Sequence, residues 1–425
     1  VKIVFKNAVI YKNGRMTSED LFLSDKMVSD PFLRPDFVVD AAKYCIFPGF
    51  ADVHVHFREP GFSYKETISS GTAAAARGGY TRACTMPNLH PVPDSRTHLD
   101  TQLAIIEKDA KIRVYPYGAI TTEQKGDALA PMEEMEKAVA FSDDGRGVQS
   151  AERMEAAMKK AAALDKMIAA HCEDESLLHG GYIHDGVYAA AHGHKGICSQ
   201  SEWGPIQRDL ALAEKTGCAY HVCHISCAES VALIRQAKKR GINVTCETAP
   251  HYLTLCEEDI QEDGRFKMNP PLRSRADREA LVQGLLDGTI DMIATDHAPH
   301  TAEEKGRGLA GSLMGVVGLE TAFPVLYTHL VKTGILPLER LIQLLSDNPC
   351  RRFGLGACDI RPGMWADFTV FDLEAAYTVD PDTFLTMGRA TPFAGAQVWG
   401  RCLLTVCDGR IAWRDPAADT MPQTL

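Results

Sequence analysis

The chain has 425 residues, with 45 lysines and arginines against 56 aspartates and glutamates, a formal net charge of −11 and no basic block. That balance argues against nucleic acid and acidic membrane as partners, and no apolar run approaches the roughly 20 residues needed to cross a bilayer. The length exceeds what one core usually supports, so one large domain with a smaller companion is expected.

Residues 1–47 alternate in short strand-like pieces, with a turn at YKNG, and lack a charged segment followed by a long apolar core. A cytoplasmic protein is expected. Strands are then predicted at ADVHVH, YTRACTM, IRVYPYGAI, KAVAFS, KMIAAHC, AYHVCHIS, NVTCETA and DMIATD. Helical patterns lie between most of them, for example YKETISSGTAAAARGG, SAERMEAAMKKAAAL and CAESVALIRQAKKRG, several ending at a glycine suited to a C-terminal cap. Repeated strand and helix units favour a parallel sheet, and eight of them favour a closed (β/α)8 TIM-type barrel over residues 48–355, an α/β fold. From residue 356 the chain returns to short strands (MWADFTVFDL, QVWGRCLLTVCDGRIAW) with a turn at CDGR. Neither end can bury a core alone, so residues 1–47 and 356–425 are predicted to pair into one small β-sandwich domain. Thirteen cysteines lie scattered in apolar stretches such as TRACTM and NVTCET, the pattern of buried free thiols in a reducing compartment.

Barrel active sites sit at the C-terminal ends of the strands, so the residues that close each apolar run matter most. Strand one ends with His54 and His56, whose i, i+2 spacing puts both imidazoles on one face, where they can hold a metal. Arg58 follows and can grip a planar anion. Strand two closes with Met86-Pro87-Asn88, strand four with Asp143 and Asp144, strand five with His171, strand six with His224 and strand eight with Asp296. Packing does not explain this, because burying such groups without partners costs several kcal/mol each.

Four histidines and two aspartates exceed the needs of one tetrahedral ion. Two ions sharing a carboxylate would provide a nucleophile at neutral pH and a Lewis acid, chemistry suited to hydrolysis at a carbonyl carbon. The pattern alone does not separate Asp143 from Asp144. His221 lies three residues from His224, on the opposite strand face, and reads as a packed or supporting histidine. His251 follows Pro250 in a loop and is a weaker ligand candidate. Cys223 and Cys227 (CHISC) lack the second pair of a thiolate metal site. His90, His98, His179, His184, His192 and His194 fall in turns, loops or helices and read as solvated. The charged, glycine-rich stretch PHTAEEKGRGLAGS, over residues 299–312, reads either as a mobile lid or as an ordinary surface loop.

These residues match a known family. DVHVHFREPG, GGYTRACTMPN, FSDDG, AAHCED, HVCHIS, ETAPHYL, KMNPPLR, ATDHAPH and GLETA together resemble the long bacterial type of dihydroorotase, within the amidohydrolase superfamily, over nearly the whole chain. The resemblance implies zinc-dependent, reversible hydrolysis of L-dihydroorotate to N-carbamoyl-L-aspartate in pyrimidine (UMP) biosynthesis. It implies His54, His56, His171, His224 and Asp296 as ligands of two Zn2+ ions, although cobalt or manganese would also suit such a set. Many superfamily relatives bridge their metals with a carboxylated lysine after strand four. AVAFSDDG has none, and the resemblance assigns the bridge to Asp144. It also implies that Arg58, Asn88, Asn269 and His300, with His56, hold the substrate, and that Asp296 carries the proton to the departing ring nitrogen. A homodimer is the default assembly, and a complex with aspartate carbamoyltransferase is compatible with the resemblance.

Overall fold

Seven parallel strands and one bridging residue close into a ring in the computed structural model, which describes residues 1–425. Phe50–Val55, Tyr80–Thr85 and Arg113–Pro116 form one arc, and Ile168–Ala170, Tyr220–Val222, Val244–Thr248 and Met292–Ile293 form the other. Parallel bridges from Phe141 to Gly118 and to Ile168 join the arcs on one side, and a bridge from Val55 to His297 closes the ring on the other. Nearly every residue of these strands is buried, as expected where helices cover the outside and side chains fill the inside.

The predicted fourth strand, KAVAFS, is therefore a single bridged residue, Phe141. Its ladder stops because Asp143 takes over the bonding. The carboxylate accepts the backbone N–H groups of Ile120 (2.8 Å) and Thr121 (3.1 Å), which a longer strand would have paired through its own carbonyls.

The predicted helices appear at Ile68–Arg77, Ala151–Ala163 and Ala228–Lys239. The first starts where the Thr67 side chain accepts from Ser70 N–H and stops at Gly78. It lies so close to the end of the first strand that a Cβ on Gly71 would sit 2.4 Å from the Phe57 ring.

Both chain ends contribute to one eight-stranded sheet. Cys45–Pro48 is its seam, running parallel to Lys2–Lys12 and antiparallel to Phe368–Thr378, with Ile46 opposite Val370. The two hairpins predicted at YKNG and CDGR turn on Asn13-Gly14 (φ 50° and 77°) and Asp408-Gly409 (φ 50° and 64°), the left-handed pairs that a two-residue turn requires. The sheet encloses its own core, including Phe5, Leu21, Val39, Phe368, Val370 and Leu404. The fold is thus an α/β barrel with a small terminal β-sandwich. Phe47, Phe50, Phe323 and Phe371 pack ring against ring where the sheet meets the barrel.

One expectation about cysteine needs correction. Cys350 and Cys358 form a disulfide and only the other eleven cysteines are free. Gly354 and Gly356, with φ of 65° and 88°, fold the chain back between them and bring their Cα atoms to 6.8 Å. No helix is long and apolar enough to cross a membrane.

Candidate active site

The ends of the strands gather the histidines and aspartates into one buried cluster. His54 is fully buried, and its Nδ1 lies 2.6 Å from Glu247 Oε1, so that nitrogen carries the proton and donates to the carboxylate. The lone pair of Nε2 then faces Asp144 Oδ1 at 3.3 Å and Asp296 Oδ1 at 3.5 Å. His56 is set the same way by Asn88, whose Oδ1 accepts from Nδ1 at 2.9 Å, leaving Nε2 3.0 Å from Asp296 Oδ1. On the other side, His171 Nδ1 lies 3.0 Å from His224 Nε2.

Asp144 sits between these groups. Its Oδ1 is within 3.5 Å of His54, His171 and His224, and its Oδ2 is 3.4 Å from His56. Asp143 points away, into the hydrogen bonds with Ile120 and Thr121, so the geometry separates two residues that the pattern could not. Burial raises the Asp143 carboxyl to about 6.

The cluster demands positive charge. Burial opposes a proton on His54, yet Asp144, Glu247 and Asp296 push its pKa well above the usual range. Burial likewise opposes ionisation of Asp144, and His54, His171 and His224 hold it well below the usual carboxylate range all the same. Divalent cations would answer the same carboxylates while leaving the imidazoles neutral, the form in which they ligate. Two fully buried atoms, His54 Nε2 and Asp144 Oδ1, have no hydrogen-bond partner, which fits atoms meant for metal. Two sets of ligand atoms converge within 4.8 Å: His54, His56 and Asp296, and His54, Asp144 and His224. A third set, His54, Cys223 and Glu247, lies on the Nδ1 side of His54. There burial and Glu247 push the Cys223 thiol up, so it stays protonated.

A wall rich in cationic donors faces this cluster. Arg58 is buried and donates from Nε to Pro299 O at 3.2 Å. Its guanidinium lies 3.4 Å from His300 Nε2. His300 donates from Nε2 to Met314 O (2.7 Å), and its Nδ1 accepts from Lys65 Nζ (3.2 Å). Burial and the charges of Arg58 and Lys65 lower its pKa to about 3, so it is neutral near pH 7. Asn269 donates to Glu173 Oε1 at 2.8 Å, and Glu173 Oε2 lies 3.4 Å from His171 Nε2.

The stretch after His300 forms two short helices, Ala302–Lys305 and Gly308–Gly311. Lys305 anchors it: its Nζ is buried and donates to the carbonyls of Lys267 (3.0 Å) and Leu313 (2.7 Å). Among the histidines expected to be solvated, His98 meets Asp94 at 2.8 Å and His184 lies half-buried 3.3 Å from Arg273.

Sequence reasoning passed over Glu247. It ties His54 to His221, whose Nε2 is 2.9 Å from Oε2 and whose Nδ1 is 2.9 Å from Thr245 Oγ1. The available signal was a glutamate inside a parallel strand that packing alone would fill with apolar residues. Glu66 was also missed. It is fully buried and accepts from Ser70, Thr386 and the Met387 N–H, with His297 Nε2 at 3.3 Å. His251, the weaker ligand candidate, is buried with an unpartnered Nε2, and burial lowers its pKa to about 4.

Comparison with known proteins gives the family. A family model described as "Dihydro-orotase-like" matches residues 43–230. Dihydroorotase of Bacillus cereus (strain B4264) is 49% identical over 423 residues, covering 98% of this chain and 99% of its own, and dihydroorotase of Bacillus anthracis gives the same figures. Among solved structures, L-hydantoinase from Arthrobacter aurescens superposes with a TM-score of 0.86 at 26% identity, covering 97% of this chain and 96% of its own. Dihydropyrimidinase from Brevibacillus agri NCHU1002 superposes at 0.85 and 22%, covering 97% and 95%, and speaks for the fold alone. At 49% identity to the Bacillus enzymes over 98% of its length, the chain belongs to the dihydroorotase family.

Proposed function

We propose that the protein is a dihydroorotase that opens the cyclic amide of L-dihydroorotate with water to N-carbamoyl-L-aspartate, and closes the same ring in reverse, the direction used in making UMP. The observation that carries this reading is the placement of Asp144 within 3.5 Å of four histidines, with Asp296 beside them. Two zinc ions per chain fit this set. His54, His56 and Asp296 would hold one, His171 and His224 the other, and Asp144 would be shared. When bound, such ions lower the pKa of water and polarise a carbonyl.

The remaining work falls to side chains. Arg58 offers the substrate carboxylate a planar fork at a site from which water is largely excluded, where a charge-assisted bond is strongest. Asn88, Asn269 and His300, with His56, supply the other polar contacts that fix the ring. Because the chain is acidic overall, this local cationic wall must overcome a repulsive general field. Asp296 takes up the proton released as water adds to the ring carbonyl. It then delivers that proton to the ring nitrogen as the C–N bond breaks, so one of water's hydrogens ends on the freed nitrogen and the other on the new carboxyl group, which releases it to solvent at neutral pH.

Residues 48–355 form the hydrolase barrel in this reading, and residues 1–47 with 356–425 form the domain that braces it. The enzyme works in the cytoplasm as a homodimer that can associate with aspartate carbamoyltransferase. Light scattering of the protein alone and mixed with that enzyme tests both associations. The activity itself is tested by assaying the zinc-loaded protein on L-dihydroorotate, dihydrouracil, hydantoin and allantoin in parallel. Selective, reversible opening of dihydroorotate is expected. Turnover of the uncharged rings alone would keep the metal cluster and remove Arg58 from substrate selection.

A further inference from the structure

A cavity of about 950 Å3 lies at the opposite end of the barrel, between Pro48 at the foot of the first strand and the Asn13-Gly14 hairpin of the β domain. Four cationic side chains line it, Lys12, Arg340, Arg351 and Arg361, against the carboxylates of Asp347 and Asp359. Asp347 is already engaged by the Tyr11 hydroxyl at 2.6 Å, and Asp359 lies 3.6 Å from Arg361. Lys12 pairs with Glu19 at 2.8 Å, whereas Arg351 has no hydrogen-bond or ion-pair partner in the protein. In a chain with a net charge of −11, this is a local excess of positive charge.

Backbone geometry adds donors to the same wall. Behind the loop that follows Gly354, Arg82 donates from Nε to Leu355 O (3.0 Å) and from its terminal nitrogen to Ala357 O (2.9 Å). In a planar trans peptide the N–H points opposite to the C=O. The N–H groups of Gly356 and Cys358 are thereby turned away from Arg82, neither has an acceptor in the protein, and both residues line the cavity. The disulfide from Cys358 to Cys350 pins the loop there. An adjoining cavity of about 480 Å3 shares Arg340 and Arg351 and adds Arg352, which is engaged only by amide and carbonyl oxygens.

Arginine guanidinium groups beside free backbone N–H groups are a recognition set for phosphate oxygens, and the volume suits a ligand of nucleotide size. We propose that this cavity binds a small anion carrying two or more phosphates, at a site separate from the barrel mouth and independent of the reaction assigned to it.

Calorimetric titration of the metal-loaded protein with sodium pyrophosphate and with ADP tests the site, using wild type, Arg351→Ala and Arg361→Ala. Both substitutions are at exposed positions, and unchanged dihydroorotate turnover serves as the check on folding. At least one probe should bind with 1:1 stoichiometry, and each substitution should weaken it tenfold or more. Tighter binding of ADP would identify a nucleoside phosphate as the ligand, and tighter binding of pyrophosphate a free polyphosphate. No binding of either probe, or equal affinity in wild type and both variants as metal chelation would give, would overturn the proposal.

Discussion

Glu247→Gln asks how much the proposed metal site depends on a residue that would touch no metal. The Glu247 carboxylate accepts from His54 Nδ1 at 2.6 Å, His221 Nε2 at 2.9 Å and the His224 N–H at 3.3 Å, all in the buried barrel interior. Glutamine keeps the volume and one oxygen. If that oxygen stays on His54, the new NH2 faces His221, which can shift its proton to Nδ1 and donate to Thr245 Oγ1, 2.9 Å away. His54 thus keeps the tautomer that leaves Nε2 free. What is lost is the negative charge behind it. A hydrogen bond to a charged group contributes about 1.5–3 kcal/mol against about 1 kcal/mol for a neutral one. The difference of about 0.5–2 kcal/mol corresponds to roughly 2- to 30-fold in zinc affinity, its upper part within the range seen when such supporting groups are removed. Chelator competition at constant pH reads this directly, and kcat at saturating zinc should fall far less than the affinity. Zinc affinity within twofold of wild type would refute the claim that Glu247 tunes His54. Glu247→Ala should cost more, because it strands two buried N–H donors at about 1–3 kcal/mol each.

Arg58→Lys keeps the charge but loses the planar fork, so KM for dihydroorotate should rise tenfold or more with a smaller change in kcat. An unchanged KM would remove Arg58 from carboxylate capture. Asp296→Asn should lower kcat by several orders of magnitude because an amide cannot shuttle the proton, and steady-state assays with zinc in excess separate this from lost metal. Lys305 gives a pH dependence whose sign is set by its environment: burial, aided by Lys267, lowers its pKa to about 7. Between that value and the unfolded value of about 10.4, the unfolded chain binds a proton that the folded chain lacks. Stability from this group is therefore present at high pH and lost as pH falls through about 7, at up to about 1.4 kcal/mol per pH unit. Lys305→Met should remove that slope in urea melts at pH 7.5 and 9.5, and a slope equal to wild type would contradict it.

The barrel was legible because most strands are short apolar runs followed by a helical pattern, and the polar residues that close the runs stand out against them. The register of KAVAFS was not legible, since Phe141 pairs on both sides but Asp143 ends the ladder with its side chain. Pattern left Asp143 and Asp144 equivalent, because adjacent residues at a strand end differ only in which way the chain turns. The Cys350–Cys358 link was invisible for a similar reason, as it depends on two glycines with positive φ between them. Glu247 and Glu66 were passed over because their partners lie far away in sequence, 193 residues in the case of His54 and 231 in that of His297.

Three residues of the mouth carry left-handed backbone: Arg58 at φ 60°, His224 at φ 32° and Asp296 at φ 49°. For residues with a Cβ this conformation costs about 1–2 kcal/mol, so the surroundings must enforce it. Each sits where a strand ends and the chain must swing a side chain across the mouth instead of along the barrel wall. At His224 the chain is clamped by Ile225 N–H donating to Glu247 O at 2.9 Å, and at Asp296 by the bridge from His56 N–H to His297 O at 2.8 Å. Arg58 is held through Pro299 O, on the same loop that Gly388 abuts so closely that a Cβ there would lie 2.8 Å from Pro299. That C-terminal segment is tied down by two buried carboxylates of the barrel. Glu320 accepts the N–H groups of Leu385 (3.0 Å) and Thr386 (3.2 Å), while Glu66 takes the Thr386 hydroxyl and the Met387 N–H. The strain at Arg58 is thus borne by contacts that reach the C-terminal part of the chain. This gives the discontinuous architecture a physical purpose: the end of the chain returns to the barrel and holds the wall that carries Arg58 against the histidine and aspartate cluster.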